Sequence, residues 1–452
     1  CFSMQEKSLV EGSILKSLIS FAFPVLLALF LQAMYGAADL IIVGKFAGTY
    51  EQSGVASGSQ LFNMITMVIT GLTMGVTVFL GNAIGAQKKE KAGQGIGTGI
   101  MIFTLVAICI SLLVIPCSDF LANSMHAPIE AFAQTSVYIR ICGIGTIFIV
   151  AYNVIGAIFR GIGDSKTPLF TVAIACVINI LADIVLVAGF GLGAAGAAIA
   201  TVCAQAASVI VSLYFICKKD LPFTFSKHDI RLHKQHTKQI LKIGIPIALQ
   251  ELLVQFSFLF IQVIVNQMSV TESAAVGVAE KVCVFLMLVA SAYMQSISAF
   301  VAQNNGAGLY HRSQKALVYG IQTALLAGMI MGTFAFFGGS LLSSIFSNEP
   351  AVIIAAHEYL KAYAIDCIFT AILFCFIGYF NVCGEKLFVM LQGIIGSFCI
   401  RIPVVYMMSQ IDGATLFYIG LGTPASSMVQ ILLCCFAYYR YRKIHLHQNG
   451  IE

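Results

Sequence analysis

Charge is the first scarcity. Only 10% of the 452 residues are Asp, Glu, Lys or Arg, against about 25% in a typical soluble domain. Tryptophan is absent altogether. The 14 cysteines form no Cys-x-x-Cys pair and no zinc spacing, and Cys109, Cys176 and Cys203 sit inside apolar runs as small packing residues. There is no phosphate loop, nucleotide fingerprint or nucleophile elbow; the Gly-rich run Gly189 to Gly196 lacks the lysine a phosphate loop needs. Each absence excludes something. So little charge excludes a fold hydrated over its surface. Without Trp, an aromatic belt at a membrane interface has to use tyrosines such as Tyr35, Tyr138, Tyr438 and Tyr439. Without a convergent nucleophile, base or metal set, an embedded enzyme has no chemistry to offer.

What is present is apolar. Hydrophobic residues make up 59% of the chain and the mean hydropathy is +0.92. Lipid is then the solvent. Hydrocarbon requires every backbone polar group to be satisfied within its own segment, and continuous apolar runs point to helices rather than to barrel strands. At about 20 residues per span, twelve spans are expected: 14–38, 53–80, 95–116, 134–158, 167–188, 193–217, 240–266, 276–303, 316–345, 357–380, 387–409 and 415–439. The first apolar run is too long for a cleavable signal peptide and continues into a span.

The net charge of +5 lies between spans and is no nucleic-acid signal. With the start of the chain inside, Lys7, Lys16, Lys88, Lys89, Lys91, Arg160, Lys166, Arg312, Lys315, Lys386, Arg440, Arg442 and Lys443 fall on one side. Lys45, Arg140 and Lys361 fall on the other, with Asp119, Glu130, Glu272, Glu349 and Asp412 mostly beside them. This positive-inside pattern places both termini on the cytoplasmic side of a multi-pass membrane protein. The polar stretch Cys217 to Lys242 joins the same side. Its His228, His233 and His236 match no zinc spacing and read as part of a solvated basic strap.

The flanks of that strap resemble each other. Phe23-Pro24 recurs as Ile245-Pro246, Gly85-Ala86 as Gly306-Ala307, and Tyr138-Ile139-Arg140 as Tyr359-Leu360-Lys361. Gly163-Asp164 recurs as Gly384-Glu385, and Gly191-Leu192-Gly193 as Gly420-Leu421-Gly422. With six spans each, the halves enter the membrane in the same direction, as parallel repeats. The expected architecture is an all-α integral membrane protein of about 12 transmembrane helices, in two six-helix lobes related by a pseudo-twofold axis along the membrane normal. The expected divisions are a first lobe at 1–217 holding a cation site, a basic cytoplasmic linker at 218–238, and a second lobe at 239–452. A substrate site is expected between the lobes, with alternating access from their rocking.

Charges within hydrocarbon are costly and mark function by default. At 1.5 Å per residue, Asp183 lies roughly 25 Å above Lys166. Asn179 lies one turn below it on the same face, and Thr201 reaches a similar height on the next span. Asp39 sits near the outer end of the first span. Asp39, Asn179, Asp183 and Thr201 can therefore share one level. They are hard oxygen donors suited to Na⁺, or to a proton shared between carboxylates. The plainer alternative is that Asp39 caps a span at the headgroups and Asp183 pairs locally. Gly193, Ala197 and Thr201 form a small-residue stripe that lets the sixth span approach a neighbour. Pro24 reads either as a hinge coupled to Asp39 or as an ordinary kink. Gln32, Asn153, Glu251 and Gln255 are candidates for the wall of a substrate cavity, and Glu251 pairs equally well within its own lobe. Asp366, Glu280, Lys281 and Arg401 also fall in or near spans.

Several motifs together carry a family resemblance. They are Pro24, Gly36-Ala37-Ala38-Asp39 with Val43-Gly44, and Gly81 to Ala86. Arg160-Gly161 follows with Gly163-Asp164 and Thr167-Pro168, then Asn179 with Asp183, and the run Gly191 to Thr201. Over nearly its whole length the sequence resembles the MATE (multidrug and toxic compound extrusion) family, in its prokaryotic DNA-damage-inducible-type branch. The resemblance implies a first-lobe cation site at Asp39, Asn179, Asp183 and Thr201, and a bending first helix around Pro24. Another branch carries acidic ligands on its seventh and tenth spans. Here Gln255 stands at the first such place and Thr370 near the second, with Asp366 a turn away, which favours coupling through the first lobe alone. The implied function is a cation-coupled antiporter, with Na⁺ or H⁺ as coupling ion and no cofactor. It would export amphipathic, often cationic compounds, working in the lipid bilayer of the plasma (inner) membrane as a monomer and without nucleic acid. The rivals are a lipid-linked precursor flippase of the same superfamily, against which the few buried cations argue, and a channel or receptor.

Overall fold

The computed structural model describes residues 9–125, 127–218, 223, 225–383, 386–411 and 413–448. Lys7, Lys219, Gly384, Glu385 and Asp412 lie outside the described residues.

The first half runs through α1 (Ile14–Phe46), α2 (Thr49–Gly85), α3 (Lys89–Val114), the short α4 (Ser118–Ser124), α5 (Phe132–Ile144) and α6 (Thr146–Ile162). It continues with α7 (Lys166–Asp183), a π turn at Ile184–Gly189, and α8 (Gly193–Lys218). The second half holds α9 (Lys234–Asn266), α10 (Val270–Leu286), α11 (Leu288–Gly306), α12 (Tyr310–Ser344) and α13 (Pro350–Phe380). After α14 (Lys386–Ile394), a π segment at Ile395–Arg401 leads into α15 (Ile402–Ser409), α16 (Leu416–Gly420) and α17 (Gly422–Gln448). Among the described residues, 11 helices are long and apolar enough to cross a membrane, or 12 if the pair Ile129–Ile144 and Thr146–Ile162 counts as one span bent by 56°. Each expected span falls on one of these, the fourth, 134–158, on the bent pair. The structure breaks it at Gly145, between α5 and α6.

The sequence chemistry accounts for the ends. Gly163 takes a left-handed φ of +92° and closes α6. Asp164 then accepts backbone N–H bonds from Lys166 (3.0 Å) and Thr167 (2.9 Å) and starts α7. The motif Gly163-Asp164…Thr167 is thus a stop and a start. Ser269 caps α10 by accepting from Glu272 N–H. α1 runs through Pro24 without interruption. Large side chains such as Leu112 and Phe337 are more than two-thirds exposed, as lipid-facing residues are. Against lipid, apolar burial supplies little contrast, so close packing and polar contacts hold the helices together.

Internal contacts divide the chain into two compact units: 1–248 with 298–313, and 249–297 with 314–452. In the first unit, α7 packs between α1 and α8, and α2 lies against α5 and α6. One core cluster gathers Val43, Val55, Phe62, Ile139 and Ala197, and another gathers Val76, Phe79, Leu80, Ile96 and Ile240. The ends of α2 and α11 meet through a reciprocal contact: a Cβ on Gly85 would collide with the Gln303 carbonyl, and a Cβ on Gly306 with the Asn82 carbonyl. Gln303 also donates to the Gly161 carbonyl (3.0 Å), and Arg312 to that of Gly12 (3.0 Å). The end of the strap packs on α3. His233 Nδ1 lies 3.1 Å from Thr98 Oγ1, and His236 Nε2 lies 3.1 Å from Gln94 Oε1. In the second unit, α13 is the central helix, packed on α10, α16 and α17.

Candidate cation site

The first unit brings Asp39, Asn179, Asp183 and Thr201 together. α1 carries Asp39 well before its end, α7 carries Asn179 and Asp183 on one face, and α8 carries Thr201. The two Asp and the Asn are buried, at 4%, 0% and 0% exposure for Asp39, Asn179 and Asp183. Asp39 is therefore not a cap at the headgroups. Thr201 Oγ1 donates to Asp39 Oδ2 at 3.0 Å. Asp183 and Asn179 lie close enough to interact with Asp39. Yet Asp39 Oδ1, both Asp183 oxygens and both Asn179 amide atoms have no hydrogen-bond partner among the described residues. Buried polar groups are rarely left so, because each costs about 1–3 kcal/mol when unpaired.

Electrostatics narrows what such a group can do. Two carboxylates cannot both stay bare anions at close range in a medium of low dielectric. A shared proton or a small hard cation resolves the conflict. The carboxamide and hydroxyl oxygens complete an all-oxygen donor set.

Near these groups, consecutive residues of α2 pin the helices that carry them. Glu51 Oε2 accepts from Ala194 N–H (2.6 Å) at the start of α8, and Gln134 Nε2 reaches Glu51 Oε1 at 3.5 Å. Gln52 Nε2 donates to the Leu40 carbonyl (3.0 Å), the residue next to Asp39. Asp39 and Thr201 thus sit on helices fixed by neighbouring side chains.

Two tyrosines expected in an interfacial belt are elsewhere. Tyr35 is 7% and Tyr138 3% exposed, and both interact with Asp39. Both rings are buried inside the first unit, whereas Tyr439 is exposed. Tyr35 also neighbours Gln205 and Gln32. Tyr35 lies one turn before Asp39, and Gln205 one turn after Thr201, so helical spacing carried the signal for both. Nothing in the sequence pointed to Tyr138.

The four cavity candidates are spread out. Gln32 lies beside Tyr35. Asn153 ties α6 to α2, accepting from Thr70 Oγ1 at 3.3 Å and donating to the Ile149 carbonyl at 2.8 Å. Glu251 and Gln255 are half-buried, one turn apart on α9 in the second unit.

Comparison with known proteins settles the family. The family model described as MatE matches residues 24–185 and, a second time, residues 246–407. The chain belongs to the MATE family. It is 25% identical over 444 residues to the probable multidrug resistance protein YoeA of Bacillus subtilis, covering 97% of this chain and 95% of that one. It is 21% identical over 433 residues to the multidrug export protein MepA of Staphylococcus aureus strain MRSA252, with 94% and 93% coverage. A multidrug resistance MATE transporter of the MOP superfamily, solved in an outward-facing conformation, matches with a TM-score of 0.90 at 19% identity over 98% of this chain and 99% of that one. A MOP superfamily transporter from Pyrococcus furiosus gives 0.91 at 20% identity, over 97% and 98%. At such identity these structures establish the fold, an all-α membrane architecture of two lobes. MATE proteins are transporters, so this chain moves solutes and is not an enzyme.

The doubled match also shows how the halves of this MATE protein differ. The same shift separates the starts and the ends of the two matched segments. Applied throughout, it sets Asp39 against Ile261, Asn179 against Arg401 and Asp183 against Val405, to within the one residue by which inner motif pairs such as Gly85 and Gly306 depart from it. Ile261 (1% exposed) and Val405 (0%) belong to one apolar core cluster. Arg401, only 6% exposed, donates to Ser257 Oγ at 2.8 Å, stacks 4.6 Å over the Phe258 ring and interacts electrostatically with Asp366. Near the places where the first half has carboxylates the second therefore has apolar side chains, and a buried guanidinium held by Ser257 and Phe258.

Proposed function

We propose that this MATE protein is a cation-coupled antiporter that exports amphipathic, often cationic drugs and toxic organic compounds by alternating access. The observation that carries the reading is the buried Asp39–Asp183 pair, with Thr201 bonded to Asp39 and Asn179 alongside. An inward gradient of Na⁺ or H⁺ loads this pair from outside and shifts the first lobe, with the Pro24 region of α1 as hinge. The substrate is then released outward. Coupling runs through the first lobe only, in keeping with Ile261, Arg401 and Val405 in the second. The names of relatives such as MepA support drugs as the cargo.

The remaining parts follow the same reading. Residues 1–217 form the cation-binding lobe, 218–238 the basic cytoplasmic linker and 239–452 the second lobe. Gln32, Asn153, Glu251 and Gln255 contribute to the substrate path. The protein acts as a monomer in the plasma (inner) membrane with both termini cytoplasmic, and needs no cofactor beyond the coupling ion. The test is drug susceptibility. Expression in an efflux-deficient bacterium should raise resistance to ethidium several-fold, and Asp39→Asn should abolish the gain at equal membrane abundance. Unchanged resistance with the wild-type protein well expressed would exclude ethidium-type cations as cargo.

A further inference from the structure

One face of α9 packs and the other does not. Ile240, Gly244 and Ala248 turn toward α2, where Gly71 and Gly75 admit the α9 backbone. The opposite face carries Lys234, Lys238 and Lys242, one turn apart and all exposed, and then runs into Ile245 and Pro246. Lys238, Leu241, Lys242, Ile245 and Pro246 border a shallow groove of about 430 Å³ on the surface of α9, wide open and mostly apolar between the two lysines. Among the described residues, no carboxylate pairs with Lys238 or Lys242. Pro246 has no N–H, so the Lys242 carbonyl loses its usual helical donor at the level of the groove.

The groove is basic at one end and greasy along its length. A free inorganic anion would use the lysines and leave Ile245 and Pro246 idle. A neutral hydrophobe would leave the lysines idle. A zwitterionic lipid brings a phosphate but also its own cation. We infer that the groove holds an anionic glycerophospholipid. Its phosphate sits between the Lys238 and Lys242 ammonium groups, and one acyl chain lies along Leu241, Ile245 and Pro246. Lysine stems suit this placement, because their methylenes cover apolar surface while the charge stays at headgroup depth. A lysine near an anionic bilayer surface contributes about fivefold in affinity, and screening by salt weakens it.

The absence of Trp makes the test direct, since Ile245→Trp gives the full chain a single indole in the groove. The variant is reconstituted into phosphatidylcholine vesicles in which acyl-brominated phosphatidylglycerol or acyl-brominated phosphatidylcholine is titrated. The phosphatidylglycerol form should quench at a several-fold lower mole fraction. That preference should shrink with added salt and disappear in Lys238→Gln/Lys242→Gln. Leu259→Trp, at an exposed position in the stretch of α9 after Lys242 that carries no lysine, should show no preference. Identical curves for the two lipids at Ile245→Trp, or a preference that survives loss of both lysines, would overturn the assignment. If Ile245→Trp does not fold, native mass spectrometry of the unsubstituted chain and of the double lysine variant decides. The former should retain a phosphatidylglycerol molecule that the latter loses, and equal retention overturns the proposal. None of these readouts depends on transport.

Discussion

Thr201 donates a 3.0 Å hydrogen bond to Asp39 across 162 positions of sequence. It joins α8 to α1 where two carboxylates and a carboxamide converge. A hydroxyl that serves the bound cation and its carboxylate is replaceable by serine but not by valine. A hydrogen bond to a charged group contributes about 1.5–3 kcal/mol. Thr201→Val should therefore raise the ion concentration needed for half-maximal efflux roughly tenfold or more, and Thr201→Ser should restore it. Ion titration of efflux at saturating substrate is the check.

Glu51 and Gln52 set the spacing of α8 and α1 from outside the site. Glu51→Ala removes the acceptor at Ala194 N–H and a negative charge at a helix N-terminus. Its expected cost is about 1 kcal/mol of stability, read as a lower melting temperature, together with a weaker apparent ion affinity. Glu51→Gln keeps an oxygen acceptor and should recover most of both. Equal ion affinity in all three proteins would mean that the clamp holds the helices without tuning the site.

The Gly85–Gln303 and Gly306–Asn82 contacts are two sides of one seam. Adding a methyl to either glycine pushes against backbone, which costs about 1–3 kcal/mol. Gly85→Ala and Gly306→Ala should each lower thermal stability. The double variant should lose less than the sum of the two, because the first methyl already opens the seam. Strict additivity in melting experiments would contradict the shared contact.

Arg401 gives Asp366 a nearby cation. Arg401→Met removes that charge, which makes no ion pair within 4 Å of Asp366 among the described residues, together with the bond to Ser257 Oγ, and should lower thermal stability. Asp366→Asn added to Arg401→Met should recover part of the loss, and thermal unfolding of the four proteins in the cycle measures it. Residual efflux in the double variant should keep the wild-type ion dependence, since the second half carries no ion in this account.

Much of this was legible in the sequence because helices in lipid declare themselves. Apolar runs of span length have no competing reading at 10% charge, so the twelve spans and the repeat of Pro24 at Pro246 and Gly85 at Gly306 could be read directly. The level shared by Asp39, Asn179, Asp183 and Thr201 followed from constant rise per residue. What periodicity cannot carry is contact across helices. Tyr138 comes from a helix whose bend at Gly145 leaves no strong sequence mark. Glu51 falls between the expected spans 14–38 and 53–80, although its carboxylate caps a helix 143 positions away. Arg401 was visible as a charge near a span. Its place opposite the Asn179 region emerged only once the two halves were matched.

The central claim is that the Asp39–Asp183 site couples an ion gradient to export. Ethidium efflux from proteoliposomes, with Na⁺ and pH gradients imposed separately, tests it most directly on the unsubstituted chain, Asp39→Asn and Asp183→Asn. The account predicts that at least one gradient drives efflux, and that each substitution abolishes the response while ethidium still binds. Gradient-driven efflux that persists when both carboxylates are neutralised would contradict it. If neither gradient moves the dye, a lipid-linked precursor becomes the cargo to assay.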